Sequence, residues 1–129
     1  MLSHDRVNML AKIDSFSFEN ILILNCLLNE IEVPARSITL KVNEAQKRLL
    51  LCLLNQINYK QDIINIVWCD NYRRMRNNNY HQLIFQTRHL FRCHGLPEQL
   101  LVTLPYYGIK LDEPLLRSFA TAESGHSAS

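Results

Sequence analysis

A chain of 129 residues with 47% hydrophobic and 20% charged content is large enough to bury one core and too apolar to be disordered. Its longest apolar run, Leu49–Leu54, falls far short of the roughly 20 residues that a membrane-crossing helix needs. The net charge of +2 is unevenly placed: residues 71–97 contain Arg73, Arg74, Arg76, Arg88 and Arg92 and no Asp or Glu, while the segments on either side are slightly acidic. A charged face confined to one segment expects an anionic partner.

His4, Asp5, Arg6, Asn8 and Lys12 break up the first residues, so no export signal is expected. Cys26, Cys52, Cys69 and Cys93 are widely spaced, without a CxxC pair. They read as reduced thiols of a cytoplasmic protein, with Cys52 and Cys69 as small core residues.

In chain order, residues 1–15 form a short lead-in. From Phe16 to Val42 the texture is β-like. Ile21, Ile23, Val33, Ile38 and Leu40 favour strands, Asn25, Asn29, Pro34 and Ser37 supply breaks, and Ser37–Val42 alternates polar with apolar. Two or three short antiparallel strands are expected there. Asn43 then offers an N-cap that Gln46 completes as a capping box, and Leu49, Leu50, Leu53, Leu54 and Ile57 follow at helical spacing.

A polar turn at 55–59 leads to a second helix with Ile63, Ile64, Val67 and Trp68 as its buried stripe. Residues 69–76 form a polar, charged connection. A third helix starts near Asn77 and ends near Cys93, stopped by Gly95 and Pro97. Tyr80, Leu83, Ile84, Thr87 and Phe91 make its buried face; Asn78, His81, Gln82, Phe85, Gln86 and His89 make the other. Leu100–Leu104 and Ile109–Leu111 predict a hairpin around Pro105, Tyr106, Tyr107 and Gly108. The small, polar end makes residues 112–129 an expected disordered tail after a domain spanning 16–111.

Strands, three helices and a hairpin, in that order, give an α+β winged helix-turn-helix. Val42–Leu111 resembles the DNA-binding effector domain of OmpR/PhoB/ToxR-type bacterial transcription regulators. Val42–Leu50 stands for the family's opening helix, and Asp62–Trp68 for its second helix with the terminal Trp. Asn77–Arg88 stands for the recognition helix, and Leu100–Leu111 for the wing. The N-terminal strands match the family's leading sheet more loosely. Four positions depart from the pattern: Gln46 where Glu is usual, Cys69 where Gly is usual, and Tyr106 and Tyr107 where the wing tip is basic. The tyrosines bring no positive charge to a minor groove, so that contact is expected to be weak at this wing.

The resemblance implies a sequence-specific, cytoplasmic DNA-binding protein that regulates transcription and places the helix at 77–92 in the major groove. Asn77, Asn78, Asn79, Gln82 and Gln86 suit adenine edges, and His81 and His89 suit guanine or phosphate. Phe85 suits a thymine methyl or a partner protein. Arg73, Arg74, Arg76 and Lys110 would sit on the phosphate backbone, which positions without choosing sequence. Arg88 and Arg92 would reach phosphates or pair internally, and Tyr106 and Tyr107 would contact DNA or protein.

Partners implied are double-stranded DNA, RNA polymerase or a partner regulator, and a second copy of the chain on the DNA, with no membrane. The alternative reading is a winged-helix protein-interaction module, a co-regulator with weak or no DNA binding, whose patch is Phe85, Tyr106 and Tyr107. No enzyme, cofactor or metal is expected. The carboxylates are scattered, three glycines leave no phosphate-cradling loop, and His89, Cys93 and His94 are too few and too local for a zinc site.

Overall fold

The computed structural model describes residues 14–69 and 77–128. The chain is α+β. Four short strands, β1 (Ser15–Phe18), β2 (Leu22–Asn25), β3 (Glu30–Val33) and β4 (Ile38–Lys41), form an antiparallel meander in that order. Its turns are made without glycine. Glu19 and Asn20 adopt positive φ between β1 and β2, and Asn29 does so before β3. The Asn25 side-chain oxygen accepts from the backbone N–H groups of Leu27 and Leu28, both at 3.0 Å, a local bond that bends the chain in place of a ladder. The inner face carries Leu22, Leu24, Ile31, Val33 and Leu40, all buried.

Helix α1 (Glu44–Leu54) opens with the expected capping box. Gln46 donates its backbone N–H to Asn43 at 2.8 Å, and Asn43 donates back to Gln46 at 2.9 Å. Every residue from Leu49 to Leu54 is buried, so the second half of α1 sits inside the core. Helix α2 (Lys60–Val67) buries Ile63, Ile64, Ile66 and Val67. Trp68 packs half-buried against this core. Cys69 is exposed, against the expectation of a core thiol, because α2 has already ended.

Helix α3 (Asn77–Cys93) has the expected bounds. It ends with Gly95 at φ 85° and the Leu96 N–H reaching back to the Phe91 carbonyl at 2.9 Å, a left-handed stop that suits glycine. Strands β5 (Leu101–Leu104) and β6 (Gly108–Leu111) form the hairpin.

The structure departs from the sequence reading in two counts: the sheet has four strands rather than two or three, and a fourth helix follows the hairpin. Helix α4 (Glu113–Ala128) occupies the segment expected to be a disordered tail. Asp112 caps it, accepting from the Leu115 N–H at 3.0 Å, and Leu116 and Phe119 are fully buried. Each burial contributes about 1.5–3 kcal/mol, enough to hold a helix whose far end is small and polar. Arg36 lies over the Phe119 ring at 4.6 Å. Arg117 forms a bidentate pair with Glu19 and lies over Phe18, tying α4 to the first hairpin of the sheet.

Candidate nucleic-acid interface

Helix α3 is oriented by its apolar stripe. Tyr80, Leu83, Ile84, Thr87 and Phe91 are buried, and the Thr87 hydroxyl is satisfied by the Leu83 carbonyl at 2.7 Å. Burying that face leaves His81, Gln82, Phe85, Gln86 and His89 exposed on the other. Phe85 is 69% exposed, a large ring left in water. Asn79 is partly buried at the helix start, and Asn77 and Asn78 belong to the same first turn. Arg73, Arg74 and Arg76 lie outside the described residues.

The two arginines of α3 differ. Arg88 is half-buried and turned back onto the hairpin. Its Nη2 donates to the Leu101 carbonyl at 2.7 Å and to Thr103 Oγ1 at 3.1 Å, and its Nε donates to Leu101 at 3.3 Å. This is a structural brace, and it takes Arg88 out of the outward-facing set. Arg92 stays exposed, 3.3 Å from Glu98 and 3.1 Å from His89 Nδ1. A solvated pair of that kind is worth little.

The hairpin stands beside α3. Residues opposite one another share a face of the ladder; Thr103 and Ile109 pair across it, and Val102 pairs with Lys110. Thr103 borders the groove next to α3, whereas Lys110 lies with Val102 in a different recess beside Gln56 and Glu113. Lys110 is therefore not brought to the α3 surface.

Tyr106 is fully exposed at the hairpin tip, with φ 62°. Tyr107 instead packs on Tyr59, ring centroids 5.1 Å apart at 57°. That contact exists because β6 is stitched to the segment before α2. Lys60 donates its N–H to the Tyr107 carbonyl at 2.8 Å, Ile109 donates to Asn58 at 3.1 Å, and the Asn58 amide donates to Ile109 at 3.0 Å. At Gly108 an added Cβ would lie 1.8 Å from the Asn58 carbonyl oxygen, so only glycine permits this approach.

Between α2, α3 and the hairpin lies a groove of about 480 Å³ that includes Tyr59, Lys60, His81, Phe85, Tyr107 and Gly108. Sequence reasoning missed Tyr59 and Lys60, which are remote from the arginine-rich segment. The Lys60 ammonium stands 5.2 Å from the Tyr80 ring centroid. Burial pushes the Tyr80 phenol up, partly offset by Arg88, so it remains neutral at physiological pH. No carboxylate lines the groove among the described residues.

The remaining chemistry is sparse. Among the described residues, no group of three or more His, Cys, Asp or Glu side chains could hold a metal ion. Cys93 meets His89, Sγ to Nε2 at 3.5 Å. Burial pushes the Cys52 thiol up to about 12, with Asp62 adding to the shift, and burial raises Cys26 in the same direction; both are poor nucleophiles. No helix among the described residues is long and apolar enough to cross a membrane. Compared with known proteins, the chain matches no family model and no curated sequence.

Proposed function

We propose that the chain is a winged helix-turn-helix DNA-binding regulator of transcription, of the bacterial OmpR/PhoB/ToxR effector type, acting in the cytoplasm with double-stranded DNA as its partner. One observation carries the reading. Helix α3 buries one full face and exposes Gln82 and Gln86 one turn apart, flanked by His81 and His89, within a segment that holds five arginines and no acid. Side-chain amides read adenine edges bidentately, and a helix fits the major groove. The order of α2, α3 and hairpin supports the same reading.

In this proposal Arg73, Arg74, Arg76 and Arg92 neutralise phosphates, and Arg88 braces the helix against the hairpin instead. Lys110 drops out of the contact set. Regulation would come through a partner such as RNA polymerase, or through a second copy of the chain on the DNA.

The test is a salt titration of binding to duplex DNA. Affinity should fall linearly with the logarithm of salt concentration. The double variant Arg73→Ala, Arg76→Ala should lower that slope by about one unit per lost contact, on every sequence alike. Gln82→Ala should relax sequence preference at a cost of about 1–3 kcal/mol. A wild-type chain that ignores duplex DNA and heparin at low salt refutes the reading. Exposed Phe85 and Tyr106 would then favour the second one, a winged-helix module that docks on protein.

A further inference from the structure

We infer that the groove between α2, α3 and the hairpin accepts an unstacked nucleobase, so that the chain prefers DNA whose helix is opened beside α3. The inference rests on the DNA-binding reading above and adds to it a substrate state that the α3 face alone does not select.

Three rings with free surface meet there. Tyr59 is 45% exposed, Tyr107 is 51% exposed, and Phe85 is 69% exposed. Tyr59 and Tyr107 are fixed as a tilted pair by the backbone bonds that join Lys60 to Tyr107 and Asn58 to Ile109. The platform is therefore built before any ligand arrives, which removes ordering cost from binding. Lys60 supplies a cation at the rim and His81 stands edge-on to Tyr80 at 5.3 Å. A cationic groove with aromatic floors is the pattern that holds unpaired bases, because every base offers a π face.

The absence of lining carboxylates among the described residues suits a polyanion. The neighbouring α3 surface bears amides and imidazoles rather than an apolar stripe, which disfavours a docked amphipathic helix as the occupant. A paired base keeps both faces inside the stack and cannot use these rings. An opened step can, and the groove then selects opening rather than sequence.

The experiment measures equilibrium binding of the full chain to a paired duplex, to the same duplex with a short central bubble of mismatched thymines, and to oligothymidine. The bubble should bind about tenfold tighter than the paired duplex, the effect of roughly one stacked base. Tyr59→Leu keeps apolar bulk against Tyr107 but removes the ring. It should abolish the bubble advantage, with circular dichroism confirming an intact fold. 2-Aminopurine placed in the bubble should be quenched by the wild type and not by this variant. Equal affinity for bubble and paired duplex, with Tyr59→Leu indistinguishable from wild type, overturns the inference while DNA binding stands, and leaves the groove to a protein side chain. Failure to bind any of the three DNAs overturns both.

Discussion

Arg88 and Leu101 join the candidate reading helix to the hairpin: two guanidinium nitrogens converge on one carbonyl, at 2.7 and 3.3 Å. The bond makes α3 and the hairpin one body, so whatever meets the exposed face of α3 meets the hairpin at a fixed angle. Arg88→Ala should destabilise the fold by about 1–3 kcal/mol, because the Leu101 carbonyl loses a charged donor. Arg88→Lys should recover only part, since an ammonium cannot fork across the same acceptors. Urea denaturation of the three chains checks this, and an unchanged midpoint for Arg88→Ala would show that the brace carries no stability.

Phe119 anchors the last helix. It is 1% exposed and sits under Arg36. Phe119→Ala should cost about 3–5 kcal/mol, a core-sized loss from a segment whose sequence looks like a tail. A thermal melt within a degree or two of wild type would mean that α4 is an appendage.

Acid should loosen the same helix. The Arg117 guanidinium, hydrogen-bonded to Glu19, holds that carboxyl below its ordinary 4.5. A depressed carboxylate stabilises the fold above its unfolded value, and the contribution is lost as pH falls through the folded value. Both groups are exposed, so the effect is small. Comparing melts at neutral pH and at about pH 3, Glu19→Gln should lose less stability on acidification than the wild type. Parallel losses would assign acid sensitivity to other carboxylates.

At the hairpin tip Tyr106 is fully exposed, while Tyr107 is half-exposed and packs on Tyr59. Tyr106→Arg should therefore raise affinity for AT-rich duplexes, whose narrow minor groove attracts arginine, more than for GC-rich ones. A gain equal on both would reduce the effect to added charge. Loss of a co-purifying protein without any gain on DNA would favour the interaction module.

Much of this organisation was legible along the chain because it is written locally. The Asn43–Gln46 box, the bounds of α3, its buried stripe and the Gly95 stop all rest on residues within a turn or two of each other. What escaped was either encoded by exceptions or made by distance. Glu19 and Asn20 turn the chain at positive φ without glycine, which hid a strand boundary. Leu115, Leu116 and Phe119 stand close together before a small and polar run, too short a pattern to stand out as a helix. Arg88 stayed open between a phosphate and an internal pair because its acceptor is a backbone carbonyl, which no composition reveals. The groove depends on Tyr59 and Lys60 meeting a turn from the far end of the domain, a pairing that no periodicity announces.

The stitch between Asn58 and Ile109 also has a consequence for the order in which the molecule assembles. The two residues are 51 positions apart, and α2 and α3 lie between them. Closing so long a loop costs entropy before its contacts reward it, so the helices should gather first and the hairpin should dock onto them late. A residue whose native contacts form after the transition state governs the rate of unfolding rather than folding. Gly108→Ala, which drives a methyl against the Asn58 carbonyl, should therefore speed unfolding in stopped-flow chevrons and leave the refolding limb nearly unchanged. This close approach would then act as the domain's latch, closing last and opening first.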